Sequence, residues 1–255
     1  MAKKVVIIGD RGTGAIVASI IEDNRNRYND TEWEIAGFLS REKDNIYGFP
    51  VLGTPNDVET FLEDKNLYFV FAYYFVANEY ATYRWYKQMR IPQERYATII
   101  HKSAFIGLGT TIGNGCIIEP NSYISCGTTI GDNVCIMSNC CVGHDAYIGK
   151  LCHLSYGSIV GSYCKLGECT DICARSFVQE HKILGDFVCV GAGSVATHNI
   201  SSGELWTGTP ARFKRYTKEK HKKAYRALCL PQILTHKIKD QYKRCVVSVA
   251  NYICR

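Results

Sequence analysis

The sequence predicts a parallel β-helix preceded by a small α/β domain. Three observations carry that reading: an unbroken six-residue aliphatic period from 106 to 190, a glycine recurring every 18 residues inside it, and alternating strand-like and helix-like segments over the first hundred residues. At 255 residues the chain is long enough to bury a substantial core, and its 46% hydrophobic and 21% charged content fits a soluble globular protein.

In the first segment, Val5-Val6-Ile7-Ile8 reads as a buried strand, Gly9-Asp10-Arg11-Gly12-Thr13-Gly14 as a tight turn, and 15–23 as a helix. Strand-like runs follow at 34–39 and 67–73, with helix candidates at 55–63 and 78–89. Alternation of this kind indicates an open, Rossmann-like α/β domain with a parallel sheet, placed at 1–99. The four-residue apolar run Val5 to Ile8 is too short for a secretory signal, which needs about 7–15 apolar residues. No window reaches the roughly 18 uncharged apolar residues of a membrane span, so a cytoplasmic location is expected.

From Ile106, every sixth residue through Val190 is aliphatic, fifteen in all. A helix turns about 600° in six residues, and a simple strand alternates every two, so neither singles out this column. A solenoid with three short flat faces does. The position four further on is mostly small (Thr110, Cys116, Ser122, Thr128, Cys140, Ala146, Cys152, Ser158, Cys164, Thr170, Ser176, Ser194) and suits an inward corner, where cysteine acts as a small apolar residue. Gly113, Gly131, Gly149, Gly167 and Gly185 mark one corner per coil, for a positive φ or for close approach of stacked backbones. The β-helix is placed at 100–210.

Residues 211–255 hold thirteen Lys and Arg against two acidic groups, whereas the remaining chain holds 17 basic against 22 acidic. The body is mildly acidic, which argues against a nucleic-acid-binding core. The tail reads as a basic helical extension, with helices at 217–228 and 234–249 interrupted by Pro231. Such a tail suits weak contact with phosphates, an anionic membrane or a partner; a solvated helix is the plainer reading. Thirteen cysteines appear without paired Cys-x2-Cys knuckles, so no metal site is expected.

Two places carry chemistry. The glycine turn follows a strand and opens a helix, so its N–H groups could cradle a diphosphate; the alternative is a tight turn without a ligand. Leu39-Ser40-Arg41 offers no acid for a ribose, which disfavours a redox dinucleotide. Within the solenoid, Val142-Gly143-His144-Asp145 places an imidazole beside a carboxylate. That pair suits a general base near neutral pH, with a surface histidine as the alternative.

The hexapeptide run, the Val-Gly-His-Asp turn, Val190-Gly191-Ala192-Gly193-Ser194-Val195, Gly208-Thr209-Pro210-Ala211 and Ile100-His101-Lys102-Ser103-Ala104 together resemble the bacterial sugar-nucleotide acyltransferases of the PglD/NeuD type. The resemblance spans about 4–215. It implies a left-handed β-helix, a homotrimer with active sites between subunits, and transfer of an acetyl or related acyl group from acyl-CoA to the amine of a nucleotide-linked amino sugar. By that resemblance His144 is the general base and Asp145 raises its basicity. His153, Ser162, Ala174 and Ala192 would contact acetyl-CoA, Ser162 through a backbone N–H that could stabilise the oxyanion, an effect worth about 10²–10³ in rate. Arg11, Gly12, Thr13 and Gly53 would hold the sugar nucleotide. The family commonly has Gly-His at Gly12-Thr13, an aspartate at Ser40 and Gly-Asn where Ala72-Tyr73-Tyr74 stands, so the departures fall in the nucleotide pocket.

Three other readings share the pattern: O-acetylation of a sugar hydroxyl, a non-catalytic sugar-nucleotide scaffold, and a zinc enzyme of the γ-carbonic anhydrase type. The last needs three histidines around one ion.

Overall fold

The computed structural model describes residues 2–217. The expected helices of the basic tail fall almost wholly outside the described residues.

Strands β1 (Lys3–Ile8), β2 (Trp33–Leu39), β3 (Val51–Gly53) and β4 (Leu67–Phe71) form an all-parallel sheet in the order β3-β2-β1-β4. The chain leaves β1 toward β2 but later returns to its other side as β4. This reversal opens a crevice at the carboxyl ends of the strands. Helix α1 (Thr13–Tyr28) starts earlier and ends later than its apolar pattern suggested. Its early start depends on Gly14, where a Cβ would lie 2.9 Å from the Gly9 carbonyl carbon. It stops at Asn29, whose φ of 56° turns the chain while a backbone N–H bonds back to the Asn24 carbonyl. The expected 55–63 helix is a 3-10 turn at Pro55–Asp57 running into α2 (Val58–Leu62), opened by a Thr54–Asp57 capping box. Helix α3 (Glu79–Met89) follows β4.

The period then takes over. Two-residue strands from β5 (Ile99–Ile100) to β21 (Val195–Ala196) wind into three parallel faces, each strand pairing with the one 18 residues on. The first face carries outward residues Ile99, Ile117, Cys135, His153, Asp171 and Cys189. The second carries Phe105, Tyr123, Cys141, Ile159, Phe177 and Val195, and the third Thr111, Thr129, Tyr147, Lys165 and Ile183. The aliphatic column fills the prism: Ile118 through Val190 are buried, with Ile106 and Ile112 packed against them at the open end.

The small column does more than fit. Ser122, Thr128 and Thr170 donate to backbone carbonyls fifteen residues on, at 2.9–3.0 Å, and the Cys116 and Cys152 thiols do the same at 3.1 and 3.0 Å. Each coil is thereby tied to the next at its corner, and buried hydroxyls find partners. The recurring glycines need close approach, not positive φ: a Cβ on Gly149 would sit 2.6 Å from the Gly167 carbonyl carbon. Positive φ occurs two residues later, at every sixth residue from Gly109 to Gly193, and ten of those fifteen residues are not glycine.

The two parts share a core. Val5, Ile7, Val17, Ile20 and Phe38 pack continuously with Ile99, Ile117, Cys135 and Met137 on the outside of the first face. At the far end, β22 (Glu204–Gly208) extends the first face in parallel, and β23 (Ala211–Tyr216) returns antiparallel to it. The extension expected to be helical from 211 therefore begins as a strand, because its N–H and C=O groups complete the open edge of that face. Among the described residues, no helix is long and apolar enough to cross a membrane.

Candidate active site

His144 and Asp145 occupy the corner between the second and third faces. Asp145 sits in the left-handed column, with φ of 54°, which carries its carboxylate back onto the preceding ring. An Asp145 oxygen lies 2.8 Å from His144 Nδ1. The carboxylate needs a proton on Nδ1, which leaves Nε2 as the acceptor, and Nε2 has no partner among the described residues. Both side chains are about half exposed. Room for the carboxylate comes from Gly127 one coil below, where a Cβ would meet Asp145 Oδ1 at 2.6 Å. The imidazole packs edge-on against Tyr163 (centroids 4.8 Å apart), and Tyr163 in turn stacks on His181.

Ser162 stands one coil above. A Cβ on Gly143 would come within 2.4 Å of the Ser162 nitrogen, so glycine before the histidine lets this N–H approach the site. Ala174 and Ala192 stack one coil apart at the next corner, between the first and second faces, where the Gly193 N–H donates to the Ala174 carbonyl at 2.9 Å. Thus His144, Asp145 and Ser162 share one edge of the second face, and Ala174 and Ala192 line the other.

His153 is apart from both edges. It is 6% exposed on the first face, its Nδ1 3.0 Å from an Asp171 oxygen and its ring stacked on Tyr74. The N-terminal domain packs over it through Tyr74. Among the described residues, no three histidines converge as the zinc alternative requires. Tyr163 lies between His144 and His181, and His153 belongs to another face.

At the carboxyl edge of the N-terminal sheet, the unforeseen centre is Asp10. One oxygen accepts from Ser40 Oγ (2.7 Å), the Arg41 N–H (3.0 Å) and Tyr73 Oη (2.6 Å), and the other from the Arg41 guanidinium. Burial alone would raise this carboxyl, but those hydrogen bonds outweigh it and hold it below its ordinary value. Arg41 also lies over the rings of Tyr73 and Trp85. Arg11 donates to the Asn45 carbonyl and faces Glu42 and Tyr47. Gly12 opens to free space, Thr13 begins α1, and a Cβ on Gly53 would press on Asp57. The acid sought after β2 is supplied instead by the turn after β1. Asp10 was visible in the sequence, but nothing there showed three strand ends converging on it.

A groove of about 710 Å³ runs between α1 and the corner below Ala174, lined by Ile20, Asp23, His101, Glu119, Asn121 and Tyr156 among others. None of His144, Asp145 or Ser162 lines it. Glu119 is buried there; one oxygen accepts from Ser138 N–H and Oγ, the other has no partner, and burial raises its pKa.

Residues 4–73 match the PglD N-terminal domain family, and residues 99–204 the GMPPB C-terminal domain family. No curated protein sequence matches the chain. Among solved structures, a histidine-to-asparagine mutant of perosamine N-acetyltransferase from Caulobacter crescentus, in complex with CoA and GDP-perosamine, superposes with a TM-score of 0.72 at 22% identity, over 83% of this chain and 97% of that one. The acetyltransferase domain of PglB from Neisseria gonorrhoeae, in complex with acetyl coenzyme A, gives 0.72 at 23%, over 84% and 100%. WeeI from Acinetobacter baumannii gives 0.56 at 17%, over 83% and 100%. At such identities the likeness establishes the fold: an α/β domain followed by a left-handed β-helix.

Proposed function

We propose that this chain, a hexapeptide-repeat protein of the PglD/NeuD build, transfers an acetyl or related acyl group from acyl-CoA to the amine of a nucleotide-linked amino sugar. The observation that carries the reading is the His144–Asp145 pair, with its Nε2 unengaged at an exposed corner of a fold whose relative binds CoA and GDP-perosamine.

The amine attacks the thioester carbonyl while His144 Nε2 takes its proton. Asp145 holds the imidazole by Nδ1 and stabilises the imidazolium that forms. The Ser162 N–H is the candidate donor to the oxyanion. Collapse of the tetrahedral intermediate expels the coenzyme A thiolate, which regains a proton, and no protein nucleophile is needed. In the same reading, Ala174 and Ala192 flank the pantetheine arm through backbone groups. Arg11, Gly12, Thr13 and Gly53 border the diphosphate and sugar, with Asp10 and Arg41 shaping the crevice.

The second face supports a homotrimer with sites between subunits. Phe105 and Tyr123 stack at 4.8 Å and are exposed, and Ile159 is exposed on the same face two coils beyond Tyr123. This apolar strip separates the His144 edge from the Ala174–Ala192 edge. A neighbouring prism laid on it would bring one protomer's His144 toward the other's alanine corner.

Thiol release from acetyl-CoA, measured with UDP-, dTDP- and GDP-linked amino sugars and their hydroxyl counterparts, tests the reading. Turnover with an amino sugar and a product carrying a new amide is expected. Turnover with the hydroxyl sugars alone would make the enzyme an O-acyltransferase, and none with any acceptor would favour the binding scaffold.

A further inference from the structure

A second group of chemistry-bearing side chains, separate from His144, is buried where α3 meets the first face. Asp171 and Cys189 are direct partners on neighbouring coils, and Cys173 follows Asp171 by two residues. One donor atom from each of these three lies within 4.8 Å of the others, and the two sulfurs are 3.8 Å apart. Glu79, the first residue of α3, is buried next to this group, though its oxygens are not among the donor atoms that converge within 4.8 Å. Both of its oxygens are buried without a hydrogen-bond partner of good geometry. Glu79, Asp171, Cys173 and Cys189 are 4%, 2%, 6% and 1% exposed.

Four groups able to carry negative charge are thus gathered out of water. Among the described residues, no Lys or Arg forms an ion pair with either carboxylate. Asp171 accepts from His153 Nδ1 at 3.0 Å and from the Ala77 N–H at 2.6 Å, which fixes its orientation but supplies little charge. Buried charges are normally paired or bound to a metal, and an unsatisfied buried polar group costs about 1–3 kcal/mol.

Distances favour an ion over a disulfide. Two thiolates about 2.3 Å from a tetrahedral zinc lie about 3.8 Å from each other, the separation found between Cys173 and Cys189. For a disulfide, Cys173 stands two residues beyond the ladder partner of Cys189. Strand spacing and rise then put their Cα atoms about 8 Å apart, past the limit of about 7 Å. Two sulfur and two carboxylate donors suit zinc; magnesium and calcium call for six or more oxygens.

We propose that Asp171, Cys173 and Cys189 form a zinc(II) site, completed by the adjacent Glu79 carboxylate through a change of its side-chain rotamer, that pins α3 to the first face of the prism. Zinc–sulfur bonds form as both thiols release protons to solvent. His153 is a positioning residue, holding the Asp171 carboxylate by hydrogen bond. The donors come from an α-helix and two different coils, so no spacing of paired knuckles marks them in the sequence.

The full chain, purified without chelator, is expected to contain about one zinc per chain. After chelator treatment, Co²⁺ should give thiolate-to-cobalt charge-transfer absorption that saturates at one equivalent. A Cys173→Ser/Cys189→Ser variant should lose both signals, while Cys141→Ser on the second face keeps them. His153→Asn should weaken Co²⁺ binding about 10–100-fold. If the double variant does not fold, Glu79→Gln gives a milder test, with weakened metal binding and a retained charge-transfer band. Absence of zinc together with absence of the band overturns the proposal. So does undiminished uptake by a folded double variant, or a Cys173–Cys189 disulfide in metal-free wild type.

Discussion

At the scale of single residues, His144 owes its chemical form to its neighbour. Asp145 reaches Nδ1 only because its own backbone is left-handed and because Gly127 leaves room beneath it. Gly127→Ala should push that carboxylate aside and also strain a position with φ of 67°. We expect a lower kcat with little change in KM, and a stability loss of about 1–2 kcal/mol in denaturant titration. Asp10 makes a different prediction, about pH. Its folded-state carboxyl is held below the ordinary 3.8, so its contribution is fully present above that value and disappears as pH falls through the folded pKa. Asp10→Asn should therefore be less stable than wild type near neutrality, with the gap closing as the buffer is acidified below 3.8. A gap that widens in acid would contradict the hydrogen-bond reading.

At the scale of elements, the coil is governed by three columns: aliphatic, small and left-handed. The aliphatic column was plain in the sequence, since fifteen uninterrupted repeats leave one geometry. Ile148→Ala, a full truncation inside a closed prism, should cost about 2–5 kcal/mol. The left-handed column was legible only in part: nine of its fifteen occupants are Gly, Asn or Asp, which favour positive φ, but Leu151, Tyr163, Cys169, Arg175, His181 and Phe187 have no chemistry in common. Their conformation is imposed by the coils above and below. Arg175 is exposed with φ of 55°, so Arg175→Asn should stabilise the chain by about 1 kcal/mol, measured by thermal or denaturant unfolding. The site was legible in the same uneven way. His144 and Asp145 are adjacent in sequence and remain so in space. The burial of His153, the Asp10 network and the Cys173–Cys189 cluster arise from contacts across 16 residues or more, which local pattern does not record.

At the scale of the whole molecule, the N-terminal sheet and the prism share one apolar core, so the crevice beside Asp10 has a fixed position relative to the His144 edge. In the proposed trimer, the exposed strip of Phe105, Tyr123 and Ile159 is the contact surface between prisms. Ile159→Lys should convert the proposed trimer to monomer by light scattering and abolish turnover while leaving the protomer folded. An active monomer would place the whole site within one chain. The most direct test of the account is the rate of coenzyme A release with an accepted amino-sugar nucleotide, wild type against His144→Ala. With His144 as the general base, kcat should fall by about 10²–10⁴ with KM for acetyl-CoA nearly unchanged. Equal rates from the two proteins would contradict that role.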